Sequence, residues 1–236
     1  MKNVYEKIND AAILPEDLNT IIWRYMDFTK FINLLEENKL YFTRADKFKD
    51  PYEGVPSFFN QRTSTEHEIT IQSRLRLYER AKSRTIISCW HKNNYESAAM
   101  WDLYLRTNEG IAIQTTINRL MECFNDAEET IQISKVNYID FENDWMPEHN
   151  VIFPTIHKRI SFAHEREIRA FHISNLMAEP KYNHGGYINT NLDTLIEKIY
   201  VAPDAPAHFV KLVKDVTKRY ELDKPVIHST LYQLPR

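Results

Sequence analysis

An α+β fold with a mixed β-sheet and flanking helices is what this sequence predicts. Segments with the 3.6-residue period of an amphipathic helix are interleaved with short runs rich in Ile, Val, Tyr and Trp. The interleaving lacks the regular strand–helix–strand rhythm of a doubly wound parallel sheet. With 43% apolar and 12% aromatic residues, the chain holds enough core-forming side chains for one domain over residues 1–236, without disulfide or metal staples.

The elements follow in order. Ile21-Ile22-Trp23-Arg24-Tyr25 reads as a strand, and residues 28–38 as a helix with Phe31, Leu34 and Leu35 on one face. Leu40 to Thr43 is a second strand. Residues 44–56 are polar and hold Asp50-Pro51 and Gly54, the signature of a loop. A helix is expected over 66–82, with Ile71, Leu75 and Tyr78 inward and Arg74, Arg76, Arg80 and Lys82 crowding its second half, where cations suit the dipole. A strand over 84–90, a short helix over 96–105 and a strand over 111–114 come next. Thr116 caps a helix whose Ile117, Leu120, Met121 and Phe124 share a face. Alternation at Ile131 and Ile133 predicts a strand through Tyr138, then a loop over 140–150. A helix over 154–163, strands over 165–172 and 198–202, a helix from Pro206 to Tyr220 and a closing strand at 226–228 complete the order.

Composition excludes several classes. A net charge of −3 is not that of a basic nucleic-acid wrapper. Two cysteines, Cys89 and Cys123, make neither a disulfide framework nor a zinc ribbon. Four glycines, with Gly185-Gly186 the only cluster, match no phosphate-binding loop. The opening residues carry no apolar signal core, and no run approaches the roughly 20 apolar residues that cross a bilayer. A cytoplasmic chain without a membrane partner is expected.

The residues that carry chemistry cluster at Glu165, Glu167 and Arg169. On a strand these alternate positions share a face, with Ile168 and Ala170 turned to the core. Two carboxylates and a guanidinium are thus expected on the open side. The bland alternative is a solvated strand face with Glu–Arg pairing.

Several segments together resemble the bacterial and phage family catalogued as domain of unknown function 2971. They are Leu40-Tyr41-Phe42-Thr43-Arg44-Ala45-Asp46-Lys47-Phe48-Lys49-Asp50-Pro51-Tyr52-Glu53-Gly54, Ser88-Cys89-Trp90, Met100-Trp101 to Tyr104 with Gly110, Lys158 with Glu165-Arg166-Glu167-Ile168-Arg169, Leu192-Asp193 through Pro203, and Ser229-Thr230-Leu231. The resemblance implies a grouping with ADP-ribosyltransferase-like proteins: a split β-sheet that cradles NAD, in toxin–antitoxin or phage-defence systems, with an antitoxin or immunity protein as partner. It further implies that Glu167 is the catalytic residue, stabilising the ribosyl cation as glycosidase carboxylates do, and that Glu165 orients the acceptor. Arg24 with Tyr25 on the first strand, Arg44, Ser88 and Trp101 become the NAD contacts. An arginine fork suits a pyrophosphate. Arg169 departs from the pattern, because it is placed to pair with Glu167. Asp50 and Glu53 have the plainer role of tying their loop.

The acceptor is a protein or a nucleic acid, and the basic helix favours nucleic acid. Two other classes stand beside this one. A non-catalytic ligand- or partner-binding module on the same fold would use the basic helix, with Arg84, as its surface. A metal-dependent nuclease would use Asp50 with Glu165 or Glu167, but it has Arg169 where a lysine is wanted, and arginine does not give up its proton. No zinc motif is present.

Overall fold

The computed structural model describes residues 12–105 and 108–234. Residues 1–11, which hold most of the opening segment without a signal core, lie outside that range. In chain order the strands are β1 (Ile21–Asp27), β2 (Lys39–Arg44), β3 (Thr85–Lys92), β4 (Gly110–Thr116), β5 (Gln132–Lys135), β6 (Asn137–Ile139), β7 (His157–Arg159), β8 (Glu167–Ile173), β9 (Gly185–Asn189), β10 (Lys198–Val201) and β11 (Val226–His228). The helices are α1 (Phe28–Glu37), α2 (Phe58–Thr63), α3 (Glu68–Lys82), α4 (Ala98–Tyr104), α5 (Ile117–Glu122), α6 (Phe153–Ile156), α7 (Leu192–Leu195) and α8 (Ala207–Arg219). The protein is a mixed α+β chain. The pairs β1–β3, β1–β4, β4–β10, β2–β3 and β5–β8 are antiparallel, whereas β10–β11 and β6–β7 are parallel.

The chain forms two units, neither of them a continuous segment. One comprises residues 12–15, Tyr41–Cys89 and Glu129–Tyr187; the other comprises Glu16–Leu40, Trp90–Glu128 and the residues from Ile188 onward. The chain passes from one to the other within β2, β3 and β9.

In the second unit, β4 pairs with β1 along seven residues, from Ile21↔Thr116 to Asp27↔Gly110, and with β10 on its other side. Flanked on both sides, β4 is buried nearly throughout, which explains its run Ile111-Ala112-Ile113. Helix α1 starts where Asp27 accepts from the Lys30 N–H, and it ends at Asn38 in the left-handed region (φ 51°). Its Phe31, Leu34 and Leu35 are buried, as are Phe209, Val213 and Val216 of α8. Thr116 caps α5 by accepting from the Arg119 N–H. On α8, Val210 is buried and Leu212 is exposed.

In the first unit, β8 lies between β3 and β5. Its residues Glu167 to Phe171 are buried on both faces. The expected open side of this strand therefore does not exist: a central strand has neighbours along both edges, and here also cover on both faces. An apolar cluster of Ile87, Phe141, Met146, Ile152, Phe153, Ile156 and Phe171 packs near it. The helix expected over 154–163 is a single turn, α6, followed by β7 and a 3-10 turn at Ile160–Glu165. Pairing of β7 with the parallel β6 gives His157–Arg159 backbone partners that outweigh a helical continuation. Strand β9 and the short α2, capped by Ser57, are additional to the expected elements.

No helix among the described residues is long and apolar enough to cross a membrane.

Candidate functional site

Glu167 opens β8, and Arg169 follows on the same face. The Arg169 Nη2 and Nε groups donate to Glu167 Oε2 at 2.9 and 3.2 Å. The same guanidinium reaches Glu53 (Nη2 to Oε2 3.0 Å, with a second bond from Nη1 to Oε1) and the Thr155 carbonyl at 2.5 Å. Lys158 of β7 donates to Glu165 and, at 3.4 Å, to Glu167 Oε2. Residue exposures are 0% for Arg169, 2% for Glu53, 5% for Glu167, 7% for Lys158 and 9% for Glu165. Five charged side chains from four chain segments thus share one interior site in the first unit.

Local chain geometry assembles it. The Asp50 carboxylate accepts from the Tyr52 N–H at 3.1 Å, and Gly54 takes φ +68°, closing a turn that turns Glu53 inward. Glu165 sits in the 3-10 turn rather than on β8. Arg166, left-handed at φ 44°, separates it from the strand. The alternation expected of Glu165 and Glu167 therefore fails, and Lys158 brings the two carboxylates together instead.

The electrostatics follow from burial and count. Three carboxylates share two cations. Burial pushes the Glu167 pKa up, but Arg169 and Lys158 more than offset it and hold the carboxyl below its ordinary range. Glu165 goes the other way: burial, then the Glu167 charge, raise it despite Lys158. Lys158 is held above the usual lysine value because Glu167 and Glu165 outweigh its desolvation. Burial pushes the Cys89 thiol, hydrogen-bonded to Glu167, well up, which disfavours the thiolate a nucleophile needs. The Tyr138 hydroxyl accepts from the Glu167 N–H at 2.8 Å.

The remaining expected contacts divide between the units. In the first, the Arg44 fork is committed: Nε and Nη2 donate to Asp46 at 2.6 and 2.8 Å, and Nη1 donates to the Tyr182 carbonyl at 2.8 Å. Ser88 is buried at 1% on β3. In the second, Arg24 stacks over the Trp90 ring at 5.7 Å. Tyr25 is buried, its hydroxyl accepting from the Ser97 N–H at 2.8 Å and its ring meeting Trp101 edge-on at 4.9 Å. Trp101, 2% exposed, donates its indole N–H to Glu96 at 3.0 Å. The aromatic pair packs in a core, so Trp101 offers no open face for stacking.

The basic run of α3 also splits. Arg74 pairs with Glu66 at 2.7 Å and Glu148 at 3.2 Å, and Arg84 donates to the Ala178 carbonyl at 2.8 Å. Helical spacing leaves Arg76 and Arg80 on the solvent stripe with Ile69.

Sequence reasoning gave Glu53 a loop-tying role and Lys158 none, and both belong to the charged centre. The available signal was Ala170-Phe171, an apolar continuation that marks an interior strand and so requires counter-charges for Glu167 and Arg169. Among the described residues, no three His, Cys, Asp or Glu side chains are grouped to hold a metal ion. Comparisons with protein-family models, with curated proteins and with solved structures give no match for this chain.

Proposed function

We propose that this chain is a non-catalytic ligand-binding module of the domain of unknown function 2971 family, on an ADP-ribosyltransferase-like split sheet, in which Glu167 holds the fold together. One observation carries the reading: Glu167 is 5% exposed and its Oε2 is engaged by Arg169 and Lys158. A carboxylate that stabilises a ribosyl cation must face the bound dinucleotide and meet its developing charge. Here that charge is already neutralised by fixed cations. Turning Glu167 outward would leave Arg169 buried with fewer partners, a costly rearrangement. The committed Arg44 fork and the buried Trp101 point the same way.

The test is incubation of the full chain with labelled NAD and cell lysate, beside calorimetric titration with NAD. The module reading expects no label on protein or nucleic acid, with or without Glu167→Gln. Label transfer by the wild type that disappears in Glu167→Gln would establish the transferase instead.

A further inference from the structure

The 3-10 turn Ile160–Glu165 between β7 and β8 has an unpacked outer side. Ile160 is 59% exposed, and Ser161, Ala163, His164 and Arg166 are exposed as well. Two side chains of the turn reach inward, and both rest on cations. The Phe162 ring lies 4.7 Å from Lys158 Nζ and 5.3 Å from the Arg159 guanidinium carbon, and Glu165 pairs with Lys158. The turn is joined to β8 through Arg166 at φ 44°, a conformation that L side chains rarely hold without compensation.

Beneath this turn, two consecutive cations are covered by one aromatic ring. Arg159 spends Nη2 on Asp50 at 2.8 Å and stacks on Tyr52 at 4.1 Å, while its buried Nε–H has no hydrogen-bond partner. A buried unpartnered donor on a residue that shares its aromatic cover with an ammonium group suits an oxyanion. Glu165 already supplies one carboxylate to Lys158. Glu167 does not depend on the turn, because Arg169 engages it from β8 itself.

We propose that residues 160–165 form a hinged strap, that Glu165 is a built-in stand-in for a ligand, and that a small oxyanion of phosphate or carboxylate type binds Lys158 and Arg159 when the strap swings away. This rests on the binding-module reading and names the ligand class. Lifting the strap removes Phe162 and Glu165 together, and the incoming anion restores the charge that Glu165 withdrew.

The experiment titrates the full chain with inorganic phosphate and, separately, with acetate, by calorimetry at constant ionic strength. Glu165→Gln removes the internal competitor, so affinity for at least one anion should rise about tenfold, the equivalent of about 1.4 kcal/mol. Tightening with phosphate alone identifies a phosphate-type ligand, and tightening with acetate a carboxylate. Adding Lys158→Met to Glu165→Gln should abolish the gain. Phe162→Ala, at a half-buried position, offers a second way of freeing the strap. It should also tighten binding and should speed hydrogen exchange of amides 160–166 relative to β8. Unchanged affinity for both anions in Glu165→Gln and Phe162→Ala, or a gain that persists without Lys158, overturns the proposal. Neither anion carries a ribosyl group, so label transfer from NAD bears on the module reading and leaves the oxyanion result to be judged separately.

Discussion

Arg169 is held by Glu53, Glu167 and the Thr155 carbonyl, with no exposure to solvent. Such a residue is conditional in its worth. Desolvating it is expensive, and its partners repay that only while all are present. Arg169→Met leaves Glu53 and Glu167 buried with too little positive charge. The expected loss is about 3–5 kcal/mol, read from urea unfolding midpoints; a loss below about 1 kcal/mol would contradict the network. Glu165 makes a pH prediction. Its folded pKa is raised, first by burial and then by Glu167, so the folded chain holds that proton more tightly than the unfolded chain. The resulting stabilisation is complete below the ordinary glutamate pKa and declines as pH rises through the raised value. Glu165→Gln lacks the decline. Its stability relative to wild type should therefore improve between acid and neutral pH; a difference that stays flat or moves toward wild type refutes the assignment. Glu167 contributes with the opposite sign: its lowered pKa stabilises above the ordinary value, and the effect is lost as pH falls through the folded one.

At the level of elements, β9 lies close against β2. A Cβ on Gly185 would stand 2.2 Å from the Phe42 carbonyl oxygen and 2.5 Å from the Tyr41 hydroxyl. The carbonyl belongs to a paired strand and yields little, so Gly185→Ala should cost about 1–3 kcal/mol in thermal or urea unfolding. The atoms nearest a Cβ on Gly110 belong to the Leu105 side chain, which can move where a strand carbonyl cannot, so Gly110→Ala should cost less. The reverse ranking would contradict the close approach of β2 and β9. Elements whose signals are local were legible in the sequence. The Thr116 cap, the Phe31–Leu34–Leu35 stripe and the apolar run of β4 each depend on neighbours in the chain. Elements made by distant partners were not. His157–Arg159 carries a helix-compatible sequence and becomes a strand because β6 lies alongside it. The Glu165–Arg169 pattern has the period of a strand, but the left-handed Arg166 puts its first member in another element. The charged centre was half legible, since Glu165, Glu167 and Arg169 were singled out while their inward direction and the parts of Lys158 and Glu53 were not. Burial of β8 is decided by β3 and β5, and the short Ala170-Phe171 run is its one local trace.

For the molecule as a whole, electrostatics weigh on the choice of partner. The net charge is −3, and the basic stretch that suggested nucleic acid keeps Arg74 and Arg84 for internal partners. With Arg76 and Arg80 outward, polyanion binding should release only about two counterions. A fluorescent random-sequence duplex should bind weakly at low salt and not measurably at physiological salt. Tight binding with a steep salt dependence would place a phosphate-tracking surface elsewhere on the chain. Both units are built from segments far apart in sequence, and the chain changes unit inside three strands. Composition reports that apolar residues suffice for a core, but not which distant segments share one, so this organisation is visible only in the folded chain.

The ionisation of Glu167 tests the central claim most directly. Side-chain carboxyl NMR titration of the full chain follows each glutamate separately. An anchor held by Arg169 and Lys158 titrates below the ordinary glutamate range, with Glu165 above it. A Glu167 resonance that moves with those of the exposed glutamates would mean a free carboxylate and would contradict its anchoring role.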